Sequence, residues 1–213
     1  MIRRVAKALL PQSVQMALRN RVRDLRMAQR DRFLRRHLGM RPLRIVIGAG
    51  GVFEPGWIPT DAEQLNLLRP ESWAKYFAPD SIDALLAEHV WEHLTLEEGR
   101  RAAAICYRYL KPGGYIRIAV PDGLHPDPAY REYIKPGGEA GGPVGGHQVA
   151  YSYRELSAVF EAAGFVTELL EYHDEAGQLH VHDWNPADGM IHRSVRFDER
   201  GAVSIVLDAR KAS

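Results

Sequence analysis

The fold of this chain is indicated most directly by residues 43–51, LRIVIGAGG. The apolar residues form a short continuous run, which is typical of a strand buried in the middle of a sheet. The glycines after it predict a tight loop whose backbone a ligand can approach closely. Because ligands bind at the carboxyl ends of strands in open α/β sheets, we expect a binding site at this loop.

Downstream of the loop, predicted strands alternate with predicted helices. SIDALLAE, YIRIAVPD, VTELLEYHD and AVSIVLDARK read as strands, and SYRELSAVFEAAGF reads as a helix. Another helix begins at the capping box of Thr95 and Glu98 and runs to Leu110. Only ten residues separate Gly51 from Asp61, the acid that ends GWIPTD, which is too short for a normal crossover. We predict a Rossmann-like, seven-stranded, mostly parallel α/β sheet with helices on both faces and a shortened first crossover.

Charge divides the chain near Arg41-Pro42. Residues 1–41 contain twelve Lys/Arg and two Asp, whereas the remainder is net negative. We predict two parts: a basic amphipathic helical extension, 1–41, and a catalytic domain, 42–213. The extension is expected to pack on the domain or on a second copy in a homodimer. An acidic membrane surface and an acidic partner protein are the alternatives. Nucleic acid is disfavoured because few aromatic residues interrupt the basic run.

Cysteine usage and hydropathy favour the cytoplasm. The single cysteine, Cys106, cannot form an internal disulfide, which favours a reducing compartment. No apolar run approaches the ~18 residues of a membrane span, and the N-terminal residues lack the pattern of a signal peptide. We expect a cytoplasmic protein, with peripheral contact to the inner face of the membrane as an alternative.

Within LAEHVWEHLT, residues 86–95, the spacing of His89, Glu92 and His93 matches H-x-x-E-H, a zinc-protease signature. That signature needs both histidines on one helical face, whereas the predicted strand runs to His89 and the helix starts only at Thr95. The histidines are therefore expected in a strand-to-helix connection. His93 either contacts a ligand there or braces the connection.

The order of glycine loop, acid, polar strand end and LKPGG resembles that of class I S-adenosylmethionine-dependent methyltransferases. IVIGAGG looks like their first motif, and Asp61 looks like their ribose-binding acid. SIDALLAEHVWEHL is similar to the strand and loop that border the cofactor, and YLKPGGYIRIAVPD to the segment that begins the fifth strand. The resemblance is greatest to the methyltransferase-type-11-like group of predicted bacterial methyltransferases.

The resemblance implies S-adenosylmethionine as the cofactor, bound by four groups of residues. The glycine loop would face the methionine part, and Asp61 the ribose. Asn66 and Leu67 would lie near the adenine, and residues 87–89 at the methyl-donor end. The implied cofactor-binding residues are Ile47, Gly48, Ala49, Gly50, Gly51, Asp61, Asn66, Leu67, Ala87, Glu88 and His89.

The expected acceptor is a hydroxyl group of a small molecule or a carbohydrate. Methyl transfer mostly needs orientation, plus a base when the acceptor is a hydroxyl. His147 follows a long Gly/Pro-rich loop, Gly123 to Gly146, and is the favoured base. His125 is the second candidate, and Asp122 could orient either imidazole.

Two other functions stay open from the sequence. A non-catalytic α/β module is supported by Val46, which stands where such methyltransferases often have an acid. A metal-dependent hydrolase could use His173, His180 and His182, although a polar hairpin after the sixth strand is the favoured explanation of these residues. We expect no metal in the methyltransferase.

Overall fold

The computed structural model describes residues 11–52, 54–140 and 146–213. The chain divides into two compact units, Met1–Gly39 and Met40–Ser213, a division close to the boundary predicted after residue 41. The first ten residues of the predicted extension lie outside the described residues. Contact of the extension with a membrane, a partner protein or a second copy stays a prediction.

The first unit contains one long helix, α1 (Gln12–His37). Its last turn carries Arg35, Arg36 and His37, which suit the negative end of the helix dipole. Several apolar side chains of this helix are exposed: Val14, Leu18, Val22, Leu25 and Phe33. Among the described helices, none is long and apolar enough to cross a membrane.

The second unit is built on seven strands. In chain order its elements are β1 (Arg44–Ile47), β2 (Ile58–Pro59), α2 (Pro70–Ala74), β3 (Ile82–Glu88), a 3₁₀ turn (Trp91–His93), α3 (Leu96–Tyr109), β4 (Leu110–Pro121), α4 (Pro128–Ile134), α5 (Tyr153–Glu161), β5 (Val166–His173), β6 (Leu179–Val181), a second 3₁₀ turn (Pro186–Asp188) and β7 (Ser204–Arg210).

The strands form one sheet in the order β2-β1-β3-β4-β7-β5-β6. Strands β1 to β4 pair in parallel, whereas β7 runs antiparallel to both β4 and β5, and β6 runs antiparallel to β5. This confirms the predicted seven-stranded, mostly parallel sheet. The pairs Ile47↔Ala87 and Glu88↔Ala119 bring the carboxyl ends of β1, β3 and β4 to one edge. The predicted ligand side of the sheet is this edge.

Helix α3 begins at the capping box that the sequence predicted. The Glu98 amide donates to Thr95 Oγ1, and the Thr95 amide donates back to Glu98 Oε2, which completes the predicted capping box. The end of the helix differs slightly from the prediction. The helix ends at Tyr109, and Leu110 already pairs with Ile82, so LKPGG belongs to β4 rather than to a separating turn.

The segment from Gly123 to Gly146 is not one long loop, as the sequence suggested. Residues 128–134 form α4, with Asp127 as its N-cap and Pro128 in its first turn. The Ala129 amide donates to Asp127 Oδ1 at 2.8 Å. A cap followed by proline is a helix-start signal that outweighed the surrounding glycines and prolines. Residues 141–145 of this segment lie outside the described residues.

Candidate active site

The glycine loop after β1 presents its backbone at the carboxyl edge of the sheet. Gly48 and Gly50 adopt φ values of 65° and 57°, in the left-handed region that favours glycine. A Cβ on Gly48 would lie 2.7 Å from Val90 Cγ2, so a side chain cannot fit there without movement. The Gly50 amide donates to Asp61 Oδ1 at 2.9 Å. The acid after β2 therefore fastens the loop.

A pocket of about 640 Å³ opens beside this loop. Its volume lies within the range of small-molecule sites. The predicted residues that line it are Ile47, Gly48, Ala49, Gly50, Glu88, His89 and His147. Several further lining residues were not predicted from the sequence: Glu54, Tyr133, His192, Arg193 and Arg200.

Other predicted cofactor residues lie around the pocket rather than in its lining. Asp61 supports the glycine loop, and Ala87 is fully buried in β3. The Asn66 side-chain oxygen accepts a hydrogen bond from the Leu68 amide. The Asn66 backbone carbonyl accepts a hydrogen bond from Trp73 Nε1. Leu67 is buried, and Gly51 lies at a turn with φ of 95°. None of these residues belongs to the pocket lining, so their contact with the cofactor stays a prediction.

His89 is held in one protonation state at the end of β3. Arg193 Nη1 lies 2.5 Å from His89 Nδ1, and because a guanidinium only donates, that nitrogen accepts. The proton is then on Nε2, which donates to Ser204 Oγ at 3.0 Å. Burial, followed by the charge of Arg193, holds the pKa of His89 well below its usual range. His89 is thus a neutral part of the pocket wall.

Glu88 forms hydrogen bonds to a segment that is distant in the sequence but lies at the pocket. Its carboxylate accepts from the amides of His192 and Arg193, at 3.2 and 2.7 Å. His192 Nε2 in turn donates to Glu54 Oε1 at 2.6 Å, on the glycine-loop side of the pocket. The segment around residue 192 therefore closes one side of the pocket. No spacing in the sequence links these residues, which is why sequence reasoning missed them.

Glu92, His93 and His147 form a compact group, called here the Glu92 cluster. One ligand atom from each residue lies within 4.8 Å of the others. The Gln148 amide donates to the Glu92 carbonyl at 2.7 Å, which brings His147 beside the 3₁₀ turn. Burial raises the pKa of Glu92 to about 8. His89 and His93 lie in the strand-to-helix connection, as predicted, and not on one α-helix.

His147 is fixed by its backbone partner. Its Nδ1 donates to the Ile134 carbonyl at 2.7 Å, so Nε2 is the nitrogen that keeps its lone pair. The imidazole packs edge-on against His93, with 5.3 Å between the ring centroids. Burial is the main cause that lowers the pKa of His147 below its usual range. A neutral imidazole with an available lone pair therefore lines the pocket.

Asp122 and His125 are placed differently from the sequence expectation. Asp122 is fully buried, and its Oδ2 accepts from both the amide and Nδ1 of His173, at 2.8 and 2.9 Å. It orients His173, not His125 or His147, because β5 carries His173 next to the end of β4. His125 Nδ1 accepts from the Asp127 amide. Neither Asp122 nor His125 lines the pocket.

The histidines near β6 belong to a hairpin. His180 Nε2 donates to Asp174 Oδ2 at 2.8 Å, and its ring stacks on Tyr172. His182 is exposed. In the described part of the chain, the group that could hold a metal ion is the Glu92 cluster, and it includes none of His173, His180 and His182. The polar-hairpin interpretation is the one this arrangement supports.

Part of the chain is similar to a known protein domain. Residues 60–118 match the family model described as a methyltransferase domain. No curated protein matches the chain.

Several solved structures that are similar to the chain are described as methyltransferases. One, an S-adenosylmethionine-dependent methyltransferase from Archaeoglobus fulgidus, is 20% identical with a TM-score of 0.46, covering 87% of this chain and 94% of that one. A second, from Thermotoga maritima, is 16% identical with a TM-score of 0.46, covering 91% and 97%. A phosphoethanolamine N-methyltransferase from Haemonchus contortus, in complex with S-adenosylmethionine, is 13% identical with a TM-score of 0.42, covering 87% and 53%.

The matched segment starts beside β2, contains β3 and α3, and ends within β4. The glycine loop and the pocket at its edge fit the cofactor in form, because the positive φ values expose backbone where a bulky ligand must approach. The chain is similar to a methyltransferase domain over residues 60–118, and its seven-stranded sheet has the predicted Rossmann-like fold.

Proposed function

We propose that this chain is an S-adenosylmethionine-dependent methyltransferase and that it methylates a hydroxyl group of a small molecule or a carbohydrate. The observation that carries the proposal is His147, whose Nδ1 is committed to the Ile134 carbonyl while its Nε2 lone pair is left for a ligand. S-adenosylmethionine supplies an electrophilic methyl group on a positively charged sulfur. A hydroxyl acceptor additionally needs a group that draws off its proton, and His147 is placed in the pocket wall to do so.

Aromatic side chains support a small or sugar-like acceptor. Tyr130 and Tyr133 line the same pocket as His147. The Tyr130 hydroxyl donates to the Val203 carbonyl at 2.6 Å, which fixes the ring against the sheet edge. A fixed aromatic face is suited to packing against the apolar face of a sugar or an aromatic ring. The pocket volume suits a cofactor together with a small acceptor better than a macromolecule.

Replacement of His147 tests the proposal. We expect His147→Ala to reduce turnover about 10²–10⁴-fold, the usual contribution of a positioned acid–base group, while affinity for S-adenosylhomocysteine is unchanged. Turnover is measured by radiolabelled methyl transfer to a panel of sugars, phenols, amines and carboxylic acids. Affinity for S-adenosylhomocysteine is measured by calorimetry. His182→Ala, at an exposed hairpin position, is the matched control. Methylation of amines alone, or full activity in His147→Ala, would contradict the proposal.

A further inference from the structure

The Glu92 cluster contains most of the unsatisfied buried polar atoms in the described residues. Four buried side-chain atoms lack a hydrogen-bond partner there: both carboxylate oxygens of Glu92, Nδ1 of His93 and the hydroxyl of Tyr151. Glu92 is only 1% exposed. A buried carboxylate without partners is costly unless a cation or a set of donors compensates it. Three of the four atoms lie in one cluster, which points to a missing ligand.

The neighbouring side chains compensate that charge only in part: Arg193 acts to lower the pKa of Glu92, but burial outweighs it. His89 Nδ1 lies 3.4 Å from Glu92 Oε1. That nitrogen already accepts from Arg193, and the proton of the ring is directed to Ser204. His89 therefore presents a lone pair, not a proton, toward Glu92. The carboxylate is left facing two imidazoles, those of His93 and His147.

The arrangement of the two imidazoles is typical of metal ligands. His147 donates its Nδ1 proton to a backbone carbonyl, which orients the ring and leaves Nε2 to bind. His93 has an unpartnered ring nitrogen in the same cluster. Three ligand atoms that each lie about 2.1 Å from a tetrahedral ion are separated by about 3.4 Å. The three ligand atoms lie within 4.8 Å of one another, so they would have to move closer together to bind one ion.

We propose that Glu92, His93 and His147 bind one divalent transition-metal ion, such as Zn²⁺ or Mn²⁺, in the wall of the pocket. Two imidazoles and one carboxylate favour these ions over Mg²⁺, which prefers oxygen ligands throughout. Three protein ligands leave coordination positions open, as in catalytic sites. The use of such a position rests on the proposed function: the open side of the ion would hold the acceptor oxygen, and His147 Nε2, bound to the ion, would promote loss of the hydroxyl proton through the metal instead of taking that proton itself.

Metal binding by the purified full-length chain tests the site. Protein prepared without a histidine tag and stripped with chelator is titrated with Zn²⁺ and, separately, with Mn²⁺, and the bound metal is counted by elemental analysis. We expect one ion per chain. Glu92→Gln, His93→Ala and His147→Ala should each weaken binding by at least about 10-fold, since even supporting residues of metal sites contribute that much. His182→Ala and His180→Ala are controls that should bind as the original chain does.

The readouts separate the site from the proposed function. Calorimetry with S-adenosylhomocysteine shows that each variant is folded, and Glu92→Gln preserves side-chain size. The metal site would be overturned if the original chain bound less than one ion, or if Glu92→Gln and His93→Ala bound the metal as tightly as the original chain does. A stoichiometric ion in a protein that methylates only amines would overturn the hydroxyl acceptor while the metal site stands. Loss of the ion in all three cluster variants, with cofactor binding kept, supports the site.

Discussion

Asp61 contacts the backbone of the glycine loop. Its Oδ1 accepts from the Gly50 amide, and the Ala49 amide is held by the Thr60 carbonyl, both at 2.9 Å. The residue therefore fixes the shape of the loop that receives the cofactor. Its carboxylate also stands at the end of β2, where the resemblance implies a ribose contact. Both roles predict that cofactor affinity depends on this side chain.

We expect Asp61→Ala to weaken binding of S-adenosylhomocysteine by about 1.5–3 kcal/mol, because hydrogen bonds to a charged group are lost. Such a change corresponds to a rise in Kd of roughly 10- to 150-fold. Calorimetry measures it directly. Glu63→Ala, two positions along and exposed, is the control. Equal affinity in Asp61→Ala would show that neither the loop bond nor a ribose contact matters.

At the scale of the elements, Asp83 joins the starts of three strands. Its carboxylate accepts from the Leu43 amide before β1 and from Lys111 Nζ in β4, at 2.7 and 2.6 Å. Partial burial acts to raise the pKa of Asp83, but the bonds from Lys111 and Leu43 outweigh it, so the pKa is lowered overall. A lowered pKa in the folded state means that the ionised carboxylate stabilises the fold.

Asp83→Asn should lower the free energy of unfolding by about 1 kcal/mol near pH 7, a value reduced by the partial exposure of the ion pair. Because the folded-state pKa lies below the unfolded-state value, this contribution is present above the unfolded pKa. It is lost as the pH falls through the folded pKa. Urea unfolding of the two proteins should therefore converge in acid. Glu168→Gln, exposed on β5, serves as the control, and a gap that persists in acid would contradict the assignment.

At the scale of the whole molecule, one buried ion pair attaches the distant wall of the pocket to the sheet. Arg117 Nε and Nη2 donate to the two oxygens of Asp208, at 2.7 and 2.9 Å, across paired strands β4 and β7. Arg117 Nη1 donates to the carbonyls of Asn185 and Gly189. The segment that begins there continues to His192 and Arg193. The ion pair thus supports the pocket from within the sheet.

Removing one partner of this ion pair should destabilise the fold, because the charge of the other partner would remain buried without compensation. We expect Asp208→Asn to lower the free energy of unfolding by about 3–5 kcal/mol. The double replacement Arg117→Met with Asp208→Leu should lower the free energy of unfolding by less than Asp208→Asn alone, because it removes both charges. Denaturant unfolding of the single and double variants measures the difference. A double variant less stable than the single one would contradict this interpretation.

The sequence by itself determined the sheet and the elements at its carboxyl edge. β1 with its glycine loop, β3, and α3 with its capping box follow from apolar runs, glycines and caps, which act over a few residues. The position of Asp61 after β2 and of His89 in a connection follow from the same local signals. These features could be predicted because the physical causes lie within short stretches of chain.

Only the tertiary structure decided which side chains meet. Asp122 pairs with His173, 51 residues later in the chain, and not with His125 nearby, because β5 returns to the end of β4. His147 meets Glu92 and His93 because its segment bonds to the Glu92 carbonyl, and Glu88 receives the amides of residues 192 and 193. Burial and hydrogen bonding across the packed chain select such partners, and no spacing in the sequence encodes them.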